Sequence, residues 1–265
     1  MPEPAKLCVS NQKGGVGKTT VAINVAGALN ARGRDVLFVD LDPQGNATEG
    51  LGLVDEYESP PPSLFDVLTD PEERETIADL VVEHEEMDVI PSNIDMTAVE
   101  PELVLARRGG EQLSLALEHV EDDYDYVVVD CPPHLGYLAD NALFATRNVL
   151  IPALAESTSK RALELLFDHI ESLELDYEIE ITDRCVVANR VEETNEAKEM
   201  MEWFHQAFPD IPVWEVRKRV ALQRAFTDGH SVVEYSPDLD MAAVFDAVAA
   251  DLDEQFGFAD AEVPA

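Results

Sequence analysis

Near the start of the chain, the stretch Asn11-Gln12-Lys13-Gly14-Gly15-Val16-Gly17-Lys18-Thr19-Thr20 restricts the fold more than any other. A short apolar run, Leu7-Cys8-Val9, precedes it, and a helical pattern from Val21 to Ala31 follows. Strand, glycine loop and helix thus come in the order that a phosphate cradle needs. Glycines let backbone amides approach an anion closely, and the first turn of a helix adds partial positive charge. Lys18 is placed to reach the outer phosphates, and the Thr19 hydroxyl to hold a magnesium ion.

The loop departs from the general pattern G-x-x-x-x-G-K-[ST]: Gln12 takes the place of the first glycine and Lys13 follows it. In this it resembles the deviant Walker A branch of phosphate-loop ATPases, written KGGxGK[ST], which includes ParA/Soj, MinD and the nitrogenase iron protein. The resemblance implies an ATP site built from Lys13, Gly14, Gly15, Val16, Gly17, Lys18, Thr19 and Thr20. It also implies that Lys13 crosses a dimer interface to touch the nucleotide of the other subunit.

Composition sets the outer limits. With 265 residues, 46% of them hydrophobic, the chain can bury a full core. One α/β domain over 1–256 is expected, with 257–265 a disordered acidic tail. Net charge is −37, from 18 basic and 55 acidic residues, and the lysines are few. Periodic apolar runs argue against disorder, so the acid belongs on a folded surface. Such a shell resembles proteins of salt-accumulating halophiles, where a Debye length of about 3 Å at 1 M salt screens self-repulsion. Loss of fold in dilute buffer is the expected consequence. Cys8, Cys131 and Cys185 lie far apart, which suggests neither a disulfide framework nor a zinc site, and points to a reducing compartment. No apolar stretch approaches ~18 residues and the first residues lack a signal-peptide core, so a cytoplasmic protein is expected.

A second strand, Val36-Leu37-Phe38-Val39, runs into Asp40-Leu41-Asp42-Pro43-Gln44-Gly45-Asn46-Ala47-Thr48. Carboxylates at the carboxyl end of a buried strand, one βα unit after the loop, face the crevice where open α/β sheets bind ligands. The segment resembles the ParA/Soj pattern D-x-D-P-Q-G-N-A-T, which implies that Asp42 positions or activates the attacking water while Asp40 supports the metal shell. Prolines break the pattern over 51–86, which is expected to be a surface excursion, with Ser63-Leu64-Phe65-Asp66-Val67-Leu68 a capped helical turn within it. In the same excursion Glu83-His84-Glu85-Glu86 is expected to form a solvated face, with His84 no metal ligand. Ile90-Pro91-Ser92-Asn93 again resembles the ParA/Soj group. The strand Tyr126-Val127-Val128-Val129-Asp130 leads into Cys131-Pro132-Pro133, so Asp130 is expected to hold magnesium opposite Thr19. Cys131 is expected to be a small packed residue and His134 structural or loop-exposed.

Alternating helices and strands continue to the end, predicting a mostly parallel twisted sheet with helices on both faces. Asn189, ending the strand from Arg184, resembles the position at which this superfamily contacts adenine. Arg217-Lys218-Arg219, with Arg224 beyond, is the clearest positive feature; it fits either a grip on DNA phosphates or neutralisation of the dimer interface and nucleotide. The acidic end, with Asp251, Asp253, Glu254, Asp260 and Glu262, is unlike the basic membrane helix of MinD-like proteins, so no membrane is expected as a partner. Six residues before the first strand leave no room for a helix-turn-helix domain, and operator binding is not expected.

Together the motifs imply a ParA-like, Mg2+-dependent ATPase. It would form an ATP-sandwich homodimer, bind DNA non-specifically in the cytoplasm on the nucleoid, and work with a ParB-like partner in chromosome or plasmid partition. A MinD-like ATPase positioning a protein complex is the alternative. An iron protein is a further one, but would need two surface cysteines per subunit.

Overall fold

The computed structural model describes residues 3–258. Eight strands form one sheet: β1 (Ala5–Val9), β2 (Val36–Asp40), β3 (Val82–Glu83), β4 (Asp88–Ile90), β5 (Tyr126–Asp130), β6 (Asn148–Leu154), β7 (Thr182–Val191) and β8 (Val213–Arg217). Their spatial order is β3-β4-β2-β5-β1-β6-β7-β8. Every pairing is parallel except β3 with β4 at the edge.

The continuous apolar runs of β2 and β5 are buried along their whole length, as expected of strands covered on both faces. Alternate residues of β1 feed different layers. Leu7 and Val9 pack with the helices Lys18–Ala31 and Asp240–Phe256, whereas Cys8 packs on the opposite face with Leu138, Leu163 and Phe204. Each fully buried aliphatic side chain contributes roughly 1.5–3 kcal/mol relative to exposure. These two apolar layers fix the strands and so aim their carboxyl ends.

The 51–86 segment is more than a surface excursion. Ser63 caps the helix Leu64–Thr69 through a capping box with Asp66, and Leu64, Val67, Leu68 and Ile77 are buried in the core. Six residues between prolines carry too little periodicity to reveal that apolar side in the sequence. The acidic run also needs correction, because Glu86 is buried and only Glu83 and Glu85 are exposed. The Glu86 carboxylate accepts the Ser231 amide at 2.8 Å, fixing the turn that precedes a short helix, Val232–Tyr235. His84 accepts the Glu86 amide at Nδ1 (3.2 Å) and hydrogen-bonds the Gly229 carbonyl through Nε2 (3.0 Å). The expected tail falls on residues of which 259–265 lie outside those described, Asp260 and Glu262 among them. Asp253 is buried, held by Arg32 and the Tyr126 hydroxyl.

Candidate functional site: a phosphate loop ringed by buried carboxylates

Parallel register assembles the site. Val9 lies beside Asp130 in the β1–β5 pairing, and Asp130 beside Asp40 in the β2–β5 pairing. The glycine loop leaves β1 at this level and enters the helix Lys18–Ala31. Three ends of neighbouring strands thus place a loop and two carboxylates together.

Gly15 and Gly17 occupy the left-handed region, with φ of 76° and 87°. A Cβ on Gly17 would also meet Asn189 Nδ2 at 2.1 Å, so both conformation and space require glycine there. Asn11 anchors the loop, donating to the Pro152 carbonyl at 2.7 Å and accepting from the Lys13 amide at 2.9 Å.

Lys18 is buried, yet its ammonium makes no hydrogen bond or ion pair with a described residue. Burial lowers its pKa, opposed by the charges of Asp130, Cys131 and Asp42. A buried cation without a partner is costly unless a ligand anion completes it. Thr19 donates its hydroxyl to Asp130 Oδ2 at 2.7 Å, while Asp130 Oδ1 is buried and has no partner. Burial and the neighbouring Asp40 charge hold the Asp130 carboxyl well above the usual range. This orphaned oxygen beside a threonine hydroxyl is a donor set that fits a hard divalent cation. Magnesium would therefore be held by Thr19 and Asp130.

Asp40 is tied into the turn that follows β2. Its carboxylate accepts the Thr48 amide (2.8 Å), the Thr48 hydroxyl (2.7 Å) and the Asp42 amide (3.2 Å). Burial raises its pKa to about 6, against those hydrogen bonds and aided by the Asp42 charge. With both oxygens engaged in hydrogen bonds, Asp40 shapes the chain between β2 and Thr48. Asp42 is buried, and one carboxylate oxygen accepts the Gln44 amide at 3.0 Å. Burial raises its pKa too, opposed by the Gln44 amide and the charges of Lys18 and His134.

Lys13 stands apart from Lys18. Its ammonium bonds Glu156 at 3.1 Å and Thr158 Oγ1 at 2.6 Å, both exposed contacts. Thr19, Thr20 and Asn189 line an open cleft of about 820 Å³ that extends to Lys218 and Arg219. The Asn189 carboxamide donates to the Val16 carbonyl at 2.9 Å and accepts the Arg190 amide at 2.9 Å, so it secures the loop from the cleft wall. Arg190 was not assigned from sequence. It lines the same cleft with φ of 54° and makes no ion pair among the described residues.

The basic stretch is dispersed and largely paired. Arg217 meets Glu215 at 2.8 Å, Lys218 meets Glu192 at 2.8 Å, and Arg219 Nε meets Asp240 at 3.2 Å. Arg224 is exposed with no ion pair among the described residues. All three cysteines are free and buried, so no thiol stands at the surface to bridge a cluster between subunits. Burial pushes the Cys131 thiol up, as befits a packed side chain. His134 sits on a loop and pairs with Glu100 at 3.4 Å.

This sheet order, glycine loop and carboxylate set define a nucleotide-hydrolysing phosphate-loop enzyme. The family model described as AAA domain matches residues 5–182. The chain belongs to that family and is a ParA/MinD-type ATPase. Sporulation initiation inhibitor protein Soj of Bacillus subtilis is 34% identical over 235 residues, covering 87% of this chain and 91% of Soj. Cobyrinic acid a,c-diamide synthase from Mycobacterium smegmatis, solved with bound ADP and magnesium, superposes with a TM-score of 0.79. It is 26% identical, with 99% of each chain covered. Apo McdA of Cyanthece shares the fold at a TM-score of 0.82 and 24% identity, over 93% of this chain and 98% of McdA.

Proposed function

We propose that the protein is an ATP-switched partition ATPase: two subunits sandwich ATP and magnesium, the dimer holds DNA without reading its sequence, and a ParB-like partner stimulates slow hydrolysis. The observation that supports the nucleotide assignment is the buried residue Lys18, whose ammonium has no hydrogen-bond or ion-pair partner among the described residues, together with the orphaned Asp130 Oδ1. In this reading Lys18 and the loop amides meet the outer phosphates, Asp42 orients the attacking water, and Asn189 borders the base. Magnesium held by Thr19 and Asp130 supplies neutralising charge to the phosphates. Lys13, held by exposed contacts in its own subunit, leaves Glu156 and Thr158 to reach the neighbouring site. The chemistry asked of the residues is positioning and charge stabilisation.

One observation favours a second reading, a MinD-like ATPase positioning a protein complex. Three of the four cations expected to grip DNA already face carboxylates. Co-sedimentation with DNA and with liposomes, in molar KCl with ATP, separates the two. ATP-dependent pelleting with DNA supports partition, and indifference to DNA supports the second reading. Asp42→Ala is expected to bind ATP and remain dimeric with turnover lost. A monomeric Asp42→Ala protein in the presence of ATP contradicts the assignment.

A further inference from the structure

The segment between β2 and Thr48 carries Asp42, whose carbonyl accepts the Gly45 amide at 2.9 Å and whose amide donates to Asp40 at 3.2 Å within the segment, and the same backbone is also held from outside it. Ser92 follows β4, whose pairing with β2 sets Ile90 beside Val39. The two strands therefore release their chains side by side. Ser92 donates its hydroxyl to the Asp42 carbonyl at 2.8 Å, and its amide donates to Thr48 Oγ1 at 2.9 Å. Thr48 in turn donates to Asp40 at 2.7 Å. Ser92, Thr48 and Asp40 are each 0% exposed, so these bonds are shielded from water and replaceable by none.

A second brace comes from the helix Val54–Tyr57. That helix brings Tyr57 over the turn, where its hydroxyl donates to the Pro43 carbonyl at 2.8 Å. Its ring lies against Gly45, at which a Cβ would stand 2.5 Å from a ring carbon. Gly45 also has φ of 64°, so the turn is glycine by both conformation and ring contact. Asn93 ties the two braces together by donating to the Ser59 carbonyl at 3.0 Å, just beyond that helix.

We propose that Ser92 and Tyr57 are positioning residues for hydrolysis, clamping the carbonyls of Asp42 and Pro43 so that the Asp42 carboxylate is presented at one fixed place. The inference rests on Asp42 as the water-orienting group. It accounts for a serine in the Ile90-Pro91-Ser92-Asn93 segment, which lies on the neighbouring strand end and reaches none of Lys18, Thr19 or Asp130 by hydrogen bond. Misplacing a reacting group by a fraction of an ångström costs rate while leaving ground-state binding intact.

The test measures phosphate release at saturating ATP and fluorescent-nucleotide affinity for wild type, Ser92→Ala, Ser92→Thr, Tyr57→Phe and Asp42→Ala, with Ser92→Ala also made in the Asp42→Ala background. Ser92→Ala is expected to lower kcat about tenfold with nucleotide affinity within about twofold of wild type. Ser92→Thr, which keeps the hydroxyl, restores part of the loss. Tyr57→Phe lowers kcat about threefold, and because Tyr57 is half-buried and loses only its hydroxyl in this change, it reports even if Ser92→Ala folds poorly. In the Asp42→Ala background the Ser92 change is expected to cost nothing further, which a general loss of fold would not reproduce. Wild-type kcat in both Ser92→Ala and Tyr57→Phe, alongside a slow Asp42→Ala, overturns the clamp alone. Wild-type kcat in Asp42→Ala overturns the water-orienting assignment beneath it.

Discussion

The nucleotide end of the sheet and the basic stretch 217–224 handle charge in opposite ways. At the first, burial raises the carboxyls of Asp40 and Asp130, and Lys18 has no ion-pair partner among the described residues. At the second, exposed cations meet exposed acids, and Arg219 and Lys218 hold Asp240 and Glu192 below the usual carboxylate range. Buried, incomplete charge marks a place prepared for a ligand, whereas satisfied surface charge contributes little by itself. A run of cations in sequence therefore says less about binding than one lysine that the fold leaves unmatched.

The largest effect that would sharpen this contrast is on the whole fold. With a net charge of −37, native circular dichroism is expected to be lost as KCl falls from molar to ~0.05 M; an unchanged signal refutes the salt-dependent shell. Next comes Lys18→Ala, expected to reduce nucleotide binding or turnover by at least ~10²-fold, measured by fluorescent-nucleotide titration and phosphate release. Retention of both would break the comparison at its strongest point.

The two regions also titrate with opposite sign. Asp40 has its pKa raised from 3.8 to about 6, so its favourable contribution is full below the unfolded value and is lost as pH rises through about 6. Asp240 has its pKa lowered by Arg219, so its contribution is present above 3.8 and is lost as pH falls through the folded value. Carboxyl-carbon NMR of labelled aspartate is expected to show one midpoint near 6 for Asp40 and one below 3.8 for Asp240. Matching midpoints would remove the distinction. The smallest effect belongs to Arg219→Ala, expected to change stability by less than about 1 kcal/mol in urea unfolding, as for other surface pairs.

Legibility followed the range of the interactions. The glycine loop, β2 and β5 were readable because their constraints are local: glycine conformation, an unbroken apolar run, a carboxylate at its end. Gly17 shows the limit, since its contact with Asn189 joins residues that only the sheet brings together. The three donors to Asp40 were not legible, because they come from Thr48 and Asp42 in a folded turn that spacing does not reveal. The capped helical turn at Ser63–Leu68 was legible from its capping residue, but the burial of Leu64, Val67 and Leu68 was not, because an apolar side of so few residues does not register as a period. Ser92 and Tyr57 carried no local signal of a role, as each acts through a carbonyl far along the chain. For the basic stretch, composition showed the cations, but the pairing with Glu192 and Asp240 depends on tertiary packing.

Light scattering of the full chain in molar KCl, with a non-cleavable ATP analogue and with ADP in parallel, tests the nucleotide switch most directly. The account requires the particle mass to double with the analogue and to return to that of one chain with ADP. Equal mass in the two nucleotides would contradict it.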